Sequence, residues 1–451
     1  MEAVRNVKRP FRIGCGAGFS SDRLEPAADL VARGRLDAIV LECLAERTLA
    51  SGHRNRMRDP SKGCNPWLER RMRTLLPLCH RHGTRLITNM GAANPAAAVE
   101  RTLTLARELG LKGMRIACIT GDDVTRHFPA DTQPGEGSQT GTMAAHYICA
   151  NAYLGIDALI PALMAEADVV ISGRVADPSL FLAGIVHHFD WAPDDWQRLG
   201  AGTLAGHLLE CGMQVTGGYF ADPGYKDVPD LAHCGFPLAE IDEDGTFTIT
   251  KLDGTGGMVT LATVKEQLLY EVHDPACYLT PDVTADFSQT RLEQTGRDRV
   301  RVRGAKGSPQ PQQLKVTLGF DGGFVAEAGI SYAGGNAAAR GELARSILRE
   351  RLSSLNGELR LDLIGVDSLH GTASSAIVRN DPPARDVRLR AAMRTADRET
   401  ADTVLWEVEA LLCCGPAGGG GFRGTVTPSV TTRSASIDRD LVRPECIMVT
   451  A

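Results

Sequence analysis

The sequence lacks any run approaching the ~18 apolar residues of a membrane-spanning helix, so no membrane partner is expected. Its first ten residues are charged and no apolar stretch follows them, which predicts no secretory signal and a cytoplasmic protein. It also lacks a CxxC pair. The 12 cysteines are scattered, and Cys15, Cys43, Cys118 and Cys149 each stand alone within an apolar run. Such thiols are expected to stay reduced and to behave as small core residues, not as disulfides or zinc ligands. Excess positive charge is absent too. The formal net charge is −6, and the cluster Arg70, Arg71 and Arg73 reads as a solvated helix face, so nucleic acid is not an expected partner. Nucleophile elbow, P-loop and zinc-protease motifs are missing. His187 and His188 have no third ligand at a suitable spacing, so no metal site is expected.

What is present is a chain of 451 residues, 43% hydrophobic and 23% charged, long enough for two or three domains. Its first half repeats one pattern. The short runs FRIGC (Phe11 to Cys15), LDAIVLE (Leu36 to Glu42), RLITNM (Arg85 to Met90), MRIACI (Met114 to Ile119) and ADVVISG (Ala167 to Gly173) each end in small or polar residues before a helical pattern. Ile- and Val-rich runs of this length are the mark of buried parallel strands. The intervening AAAVERTLTLARELG segment places Val99, Leu103, Leu105 and Leu109 at helical spacing and stops at Gly110, a C-cap residue. The pattern predicts an α/β fold with a mostly parallel open sheet of βα units.

WAPDDWQRLGAG (Trp191 to Gly202) carries turn signals and ends that series. Beyond it an α+β half with hairpins is expected: one across Asp244-Gly245, another across Asp321-Gly322-Gly323. Helical patterns run over Ala337 to Leu355 and Thr400 to Cys414, and KGSPQPQQ (Lys306 to Gln313) reads as an exposed loop. The predicted division is 1–200 for the parallel domain and 201–451 for an α+β domain closing over its strand ends.

Ligands of open parallel sheets bind beyond the carboxyl ends of the strands. Those ends carry Gly14, Gly16 and Gly18; Glu42; Asn89, Gly91 and Asn94; Gly121, Asp122 and Asp123; and Gly173, Arg174 and Asp177. Arg174 can hold a carboxylate or phosphate in a bidentate fork. Asp122 and Asp123 are candidates for a base or a metal ligand. Each of these residues alone is equally explained by turn chemistry. Gly14, Gly16 and Gly18 give GxGxG, short of the dinucleotide fingerprint GxGxxG, although Glu42 stands where a ribose-binding acid would. A nicotinamide or flavin site stays open as an alternative, as does a backbone cradle for another anion.

The densest stretch is Leu252 to Val283. Gly254, Gly256 and Gly257 form its entry, and Thr263-Val264-Lys265-Glu266 fits a capping box opening a helix from Val264 to Val272. On that helix Glu266, Tyr270 and His273 fall within about 60°, an acid, a phenol and an imidazole on one face, suited to proton transfer or equally to capping and packing. Near the end, CCGPAGGGGF offers Gly418, Gly419 and Gly420 as part of a backbone nest for an anion or oxyanion.

The block GTGGMV–EQLLYEVHDPACYLTPDV resembles the signature of the AtuA family, the acyclic terpene utilisation proteins. GCGAGFSSDR, ISGRVADPSLFLA, ECGMQVTGGYFADPG and CCGPAGGGG are similar too, so the resemblance covers nearly the whole chain. It implies bacterial catabolism of citronellol- and geraniol-type compounds through acyl-CoA intermediates, and no assigned catalytic residues. Some members carry an extra small C-terminal domain, so a separate small subunit is an expected partner, and a homo-oligomer is expected as well. Together these readings favour a hydratase/dehydratase acting on a branched or unsaturated carboxylic acid or its acyl-CoA thioester. Catalysis is then expected from Asp122, Asp123, Glu266, Tyr270 and His273. Substrate binding is expected from Gly16, Gly18, Glu42, Asn89, Asn94, Arg174, Asp177, Gly256, Gly257 and Gly418 to Gly420, with no cofactor beyond a CoA-linked substrate. A non-catalytic scaffolding subunit and a nucleotide-dependent oxidoreductase are the alternatives.

Overall fold

The computed structural model describes residues 8–132, 146–369, 371 and 384–451. All five Ile- and Val-rich runs are strands. In chain order the first unit contains β1 (Phe11–Ala17), α1 (Glu25–Arg33), β2 (Ala38–Leu41), α2 (Glu46–Arg58), α3 (Leu68–His82), β3 (Arg85–Thr88), α4 (Pro95–Glu108) and β4 (Arg115–Thr120). It continues through β5 (His146–Ala152), α5 (Ile156–Met164), β6 (Val169–Ser172), α6 (Asp177–Phe189) and α7 (Trp196–Glu210). After these come β7 (Pro237–Ile241), β8 (Phe247–Lys251), α8 (Leu261–Leu269), β9 (Tyr278–Leu279), β10 (Thr284–Asp286), β11 (Arg291–Gly296), β12 (Arg299–Arg303) and β13 (Lys306–Ser308). β1, β2, β3, β6 and β4 lie side by side in that order and pair in parallel. The chain leaves β3 for β4 and then returns to lay β6 between them, so the ends of β3, β6 and β4 meet at one place. Apolar residues of these strands, of α1, α3 and α4, and of the β6 neighbourhood make one continuous core.

The Asp244-Gly245 hairpin is present: β7 and β8 are antiparallel, with Gly245 at φ +86°. This hairpin does not belong to a separate domain. β7 pairs with β1 and β12 with β8, extending the parallel sheet on one side, while β18 (Glu445–Thr450) extends it on the other by pairing with β4. The first unit therefore spans 1–129, 148–318 and 434–451, and the second 130–147 and 319–433. This differs from the 1–200 and 201–451 division, because strand pairing after residue 201 goes back to the first sheet.

The second unit contains α9 (Ala337–Arg351), β15 (Glu358–Ile364), β16 (Asp386–Thr395) and α10 (Arg398–Cys414), with parts of the long strands β14 (Gln313–Ala333) and β17 (Gly420–Asp438). Its antiparallel sheet runs β15-β16-β14-β17, and α9 and α10 bury their apolar stripes on it. The hairpin expected across Asp321-Gly322-Gly323 is not there. β14 continues through it. A two-residue hairpin turn of the common primed types needs positive φ at its first central residue. Here only Gly323 has one, at +69°, and its N–H is held by the Asp321 carboxylate at 3.0 Å. The Lys306 to Gln313 segment is likewise only partly loop, since it opens with β13 and closes with the start of β14.

α7 begins inside the segment read as a series of turns. Asp195 caps it, accepting from the Arg198 N–H, and its glycines let other backbone approach closely. A methyl group on Gly200 would stand 2.0 Å from the Lys306 carbonyl oxygen, and one on Gly206 would stand 2.7 Å from that of Pro178. α7 is thus pressed between β13 and α6, and its last residues arrive at the end of β1. Gly200→Ala is expected to destabilise the protein by about 1–3 kcal/mol through overpacking, measured as a lower urea midpoint at unchanged m-value.

Candidate active site

The carboxyl ends of the parallel strands build a polar cluster around Arg174. This guanidinium is 1% exposed. Its Nε and Nη2 donate to the Val175 carbonyl, its Nη1 to the Leu44 carbonyl and its Nη2 also to Asp177. The guanidinium carbon lies 4.4 Å from the centre of the Tyr153 ring. With its donors committed inside the protein, Arg174 is a counter-charge and a brace for Asp177. The expected role as a fork for a substrate carboxylate does not fit this geometry.

Asp177 opens α6, and 36% of its side chain is accessible, so its carboxylate reaches solvent while its neighbour Arg174 does not. Burial pushes its pKa up, and Arg174 works against that rise. Glu42 is 8% exposed, with Oε1 accepting from Asn89 Nδ2 at 2.9 Å and from the Leu44 N–H at 2.8 Å. Desolvation, with Asp177 adding repulsion, pushes its pKa up to about 8. Asn89 in turn accepts from the Cys43 N–H at 2.8 Å, so it orients the acid and offers nothing to a ligand.

Further groups complete the cluster, and none was singled out as a site residue from the sequence. Glu210, the last residue of α7, is 3.1 Å from His207 Nδ1. Burial pushes Glu210 well up, with Asp177 and Glu271 adding to it, and pushes His207 down to about 4. His207 is therefore uncharged at neutral pH, and Glu210 is shifted toward its protonated form. Tyr278 lies tilted against His207 with ring centres 5.3 Å apart, and its hydroxyl is also driven upward, chiefly by burial. At the rim, Glu46 accepts from the Tyr153 hydroxyl at 2.6 Å and from Lys315 Nζ at 3.3 Å. Burial opposes the charge on Glu46, yet these donors and its own backbone N–H bring its pKa down to about 2. Lys315 Nζ lies 4.6 Å from the Tyr153 ring centre, with half of its side chain exposed.

The other predicted residues are placed as follows. Asp122 adjoins the cluster, accepting from the Arg174 N–H at 2.8 Å and Asn151 Nδ2 at 2.9 Å, and burial raises its pKa to about 6. Asp123 is exposed and caps the next turn through Thr125. Asn94 caps α4 and ties down the Pro60 and Lys62 carbonyls. Gly16 packs on Ile39, and a methyl on Gly18 would stand 2.5 Å from the Cys211 carbonyl carbon. The Gly18 N–H is taken by the Asp22 carboxylate at 2.9 Å, so the loop that would cradle a phosphate is occupied by protein. Gly256 and Gly257 pack against the backbones of Asp230 and Thr216.

The helix of the densest stretch starts three residues early. Thr260 and Thr263 form the capping box, and α8 ends at Leu269. Tyr270 and His273 therefore lie beyond the helix and share no face with Glu266. His273 is exposed, and Glu266 pairs with Lys226 on the surface, at 2.5 Å. The contribution of this stretch comes from neighbouring residues: Gln267 Nε2 donates to the His207 carbonyl at 3.1 Å, while Tyr278 and Glu271 bear on the carboxyl groups. Gly418, Gly419 and Gly420 belong to the second unit, where Gly420 starts β17 and Gly419 lies against Ile330 and Tyr332.

A signal for the missed groups was available. Glu210 and Cys211 open the ECGMQVTGGYFADPG segment, one of those carrying the family resemblance, at the end of a Gly-rich helix. Comparison with known proteins gives one match: the model of the family described as Acyclic terpene utilisation family protein AtuA covers residues 11–448. No curated protein and no solved structure matches the chain.

The raised acids have a measurable consequence. Between the ordinary carboxyl pKa of 4.5 and about 8, the unfolded chain releases the Glu42 proton while the folded protein keeps it. Stability must then fall as pH rises through this window. Asp122 and Asp282, both brought to about 6 chiefly by burial, act with the same sign at lower pH. Below pH 6.5 the lowered His207 acts with the opposite sign, so the decline is expected in urea unfolding followed from pH 6.5 to 8.5, with a shallower slope in Glu42→Gln.

Proposed function

Because the chain belongs to the acyclic terpene utilisation (AtuA) family, we propose that it is an acid–base enzyme of branched-chain catabolism, a hydratase/dehydratase. Its substrate is an unsaturated branched carboxylic acid or its acyl-CoA thioester. The observation that carries this reading is a buried cation surrounded by carboxyl groups in unlike surroundings: burial raises Glu42 to about 8 and shifts Glu210 the same way, while Asp177 stands beside Arg174 with part of its side chain accessible. Hydration of a double bond conjugated to a carbonyl needs a base for the water and an acid for the carbon.

In this assignment Asp177 takes a proton from water as the water oxygen bonds to the β-carbon. The electrons of the double bond move to the carbonyl as an enolate. The enolate then takes a proton at the α-carbon from Glu210, and exchange with solvent returns the two acids to their starting states. Arg174 favours the ionised form of Asp177 against the burial that raises its pKa, and Glu42 holds its proton beside it. Lys315, the accessible cation at the rim, holds the substrate carboxylate or polarises the thioester carbonyl.

The test is a panel of α,β-unsaturated acids and enoyl-CoAs followed by loss of conjugated absorbance. Asp177→Asn and Glu210→Gln are expected to lower kcat by about 10²-fold or more at unchanged fold, whereas Lys315→Ala raises KM. Turnover that survives both acid substitutions, or its absence with every compound, would sink the proposal.

A further inference from the structure

The surface beside α8 carries an open hollow of about 530 Å³, lined on its apolar side by Phe220, Met258 and Leu269, with Tyr225 at its edge. Phe220 is 7% exposed and forms the floor, whereas 62% of Leu269 and 88% of Tyr225 are exposed. Single exposed apolar residues are ordinary on a protein surface, but a contiguous group with a hollow among them marks a contact site. Lys226 Nζ lies 4.9 Å from the centre of the Phe220 ring and 2.5 Å from Glu266, so these three groups satisfy one another.

Tyr225 is presented on a closed turn. Asp222 and Lys226 exchange both backbone hydrogen bonds, at 3.0 and 2.7 Å. Between them Gly224 takes φ +84°, and its N–H is held by Asp227 Oδ1 at 3.0 Å. An aromatic side chain on a backbone fixed in this way gives up little freedom when it is covered, and such anchors dominate contact energies. The patch therefore sets a projecting ring beside a hollow. Its charges balance, with Lys226 and Lys265 against Asp227 and Glu266. Lys226 and Glu266 pair with each other, and among the described residues Lys265 and Asp227 make no ion pair. The chain as a whole carries −6, so a patch with no excess negative charge is one where a second copy meets no net repulsion.

We infer that this face is a two-fold contact between copies of the chain, Tyr225 of each copy entering the hollow of the other and Lys265 of each meeting the partner's Asp227. In a two-fold contact every copy supplies both halves of the fit. This face holds both halves: a projecting ring and a hollow, an unpaired cation and an unpaired anion. A partner of another kind requires only one of each. An anionic membrane surface is disfavoured, because Asp227 and Glu266 would face its phosphates. The contact is independent of the acid–base assignment, since none of these residues belongs to the carboxyl cluster.

Sedimentation velocity of the full chain over a micromolar concentration series tests it. The chain is expected to sediment as a dimer. Tyr225→Ala and Leu269→Glu, both at exposed positions, are each expected to raise the dimer dissociation constant by about 10-fold or more at unchanged circular dichroism. Lys265→Asp and Asp227→Lys are each expected to weaken association. The chain carrying both exchanges is expected to associate more tightly than either single variant, which two independent surface defects would not produce. Three outcomes would overturn the inference: a monomer throughout the series, a dimer indifferent to both Tyr225→Ala and Leu269→Glu, or a double exchange that associates no more tightly than the single ones.

Discussion

Arg174 is a full positive charge with almost no access to water, and much of the first unit is arranged to make that tolerable. An unpaired cation in this position would be driven out or would unfold the local structure. Here two carbonyls, an aromatic face and Asp177 replace the lost hydration. The Leu44 carbonyl comes from just beyond β2 and Val175 from just beyond β6, so the charge fastens two strand exits together. The same cation moderates the cost of placing several carboxyl groups in one recess. Without it Glu42, Asp177 and Glu210 would have little reason to remain so close, since Asp177 raises the pKa of both glutamates.

The rest of the scaffold serves to bring distant segments to that charge. β6 is laid between β3 and β4 after the chain has already passed them, which puts Arg174 and Asp177 beside Glu42 and Asn89. α7 brings Glu210 to the same region because its glycines let it lie close to α6 and to the backbone of β13. Tyr278 comes from a third place, the short strand beyond α8, and Lys315 from the start of β14. The resulting group is assembled from side chains more than a hundred residues apart in sequence, as the Tyr153–Glu46 and Arg174–Leu44 hydrogen bonds illustrate.

That assembly decides what could be read from the sequence. The strands were legible because Ile- and Val-rich runs between glycines have few other uses, and the rule of strand ends then located Glu42, Asn89, Arg174 and Asp177. The roles were less legible than the places. Arg174 and a substrate-binding arginine look identical until the carbonyls that use up its donors are known. Glu210, His207 and Tyr153 lie inside helical or strand patterns, where a polar residue carries no sign of which way it faces. The α8 error was one of register. Thr260–Thr263 and Thr263–Glu266 both fit a helix start, and choosing the second moved the helix by one turn and put Tyr270 and His273 on it. The Asp321-Gly322-Gly323 error was similar: glycine permits a reversal without requiring one, and strand pairing decided against it.

The loop after β1 has one further implication. Asp22 gives Gly18 an internal anion in the place where a glycine-rich loop of this kind would receive a phosphate. Loops that depend on a bound phosphate have to give up conformational freedom at the moment of binding. This one has given it up during folding, and Arg71, by donating to the Asp22 carbonyl at 2.7 Å, holds the arrangement from behind. Its shape is therefore held by the protein's own groups. The wall it forms behind Cys211 and Glu210 acts as a fixed reference surface against which the rest of the recess is aligned.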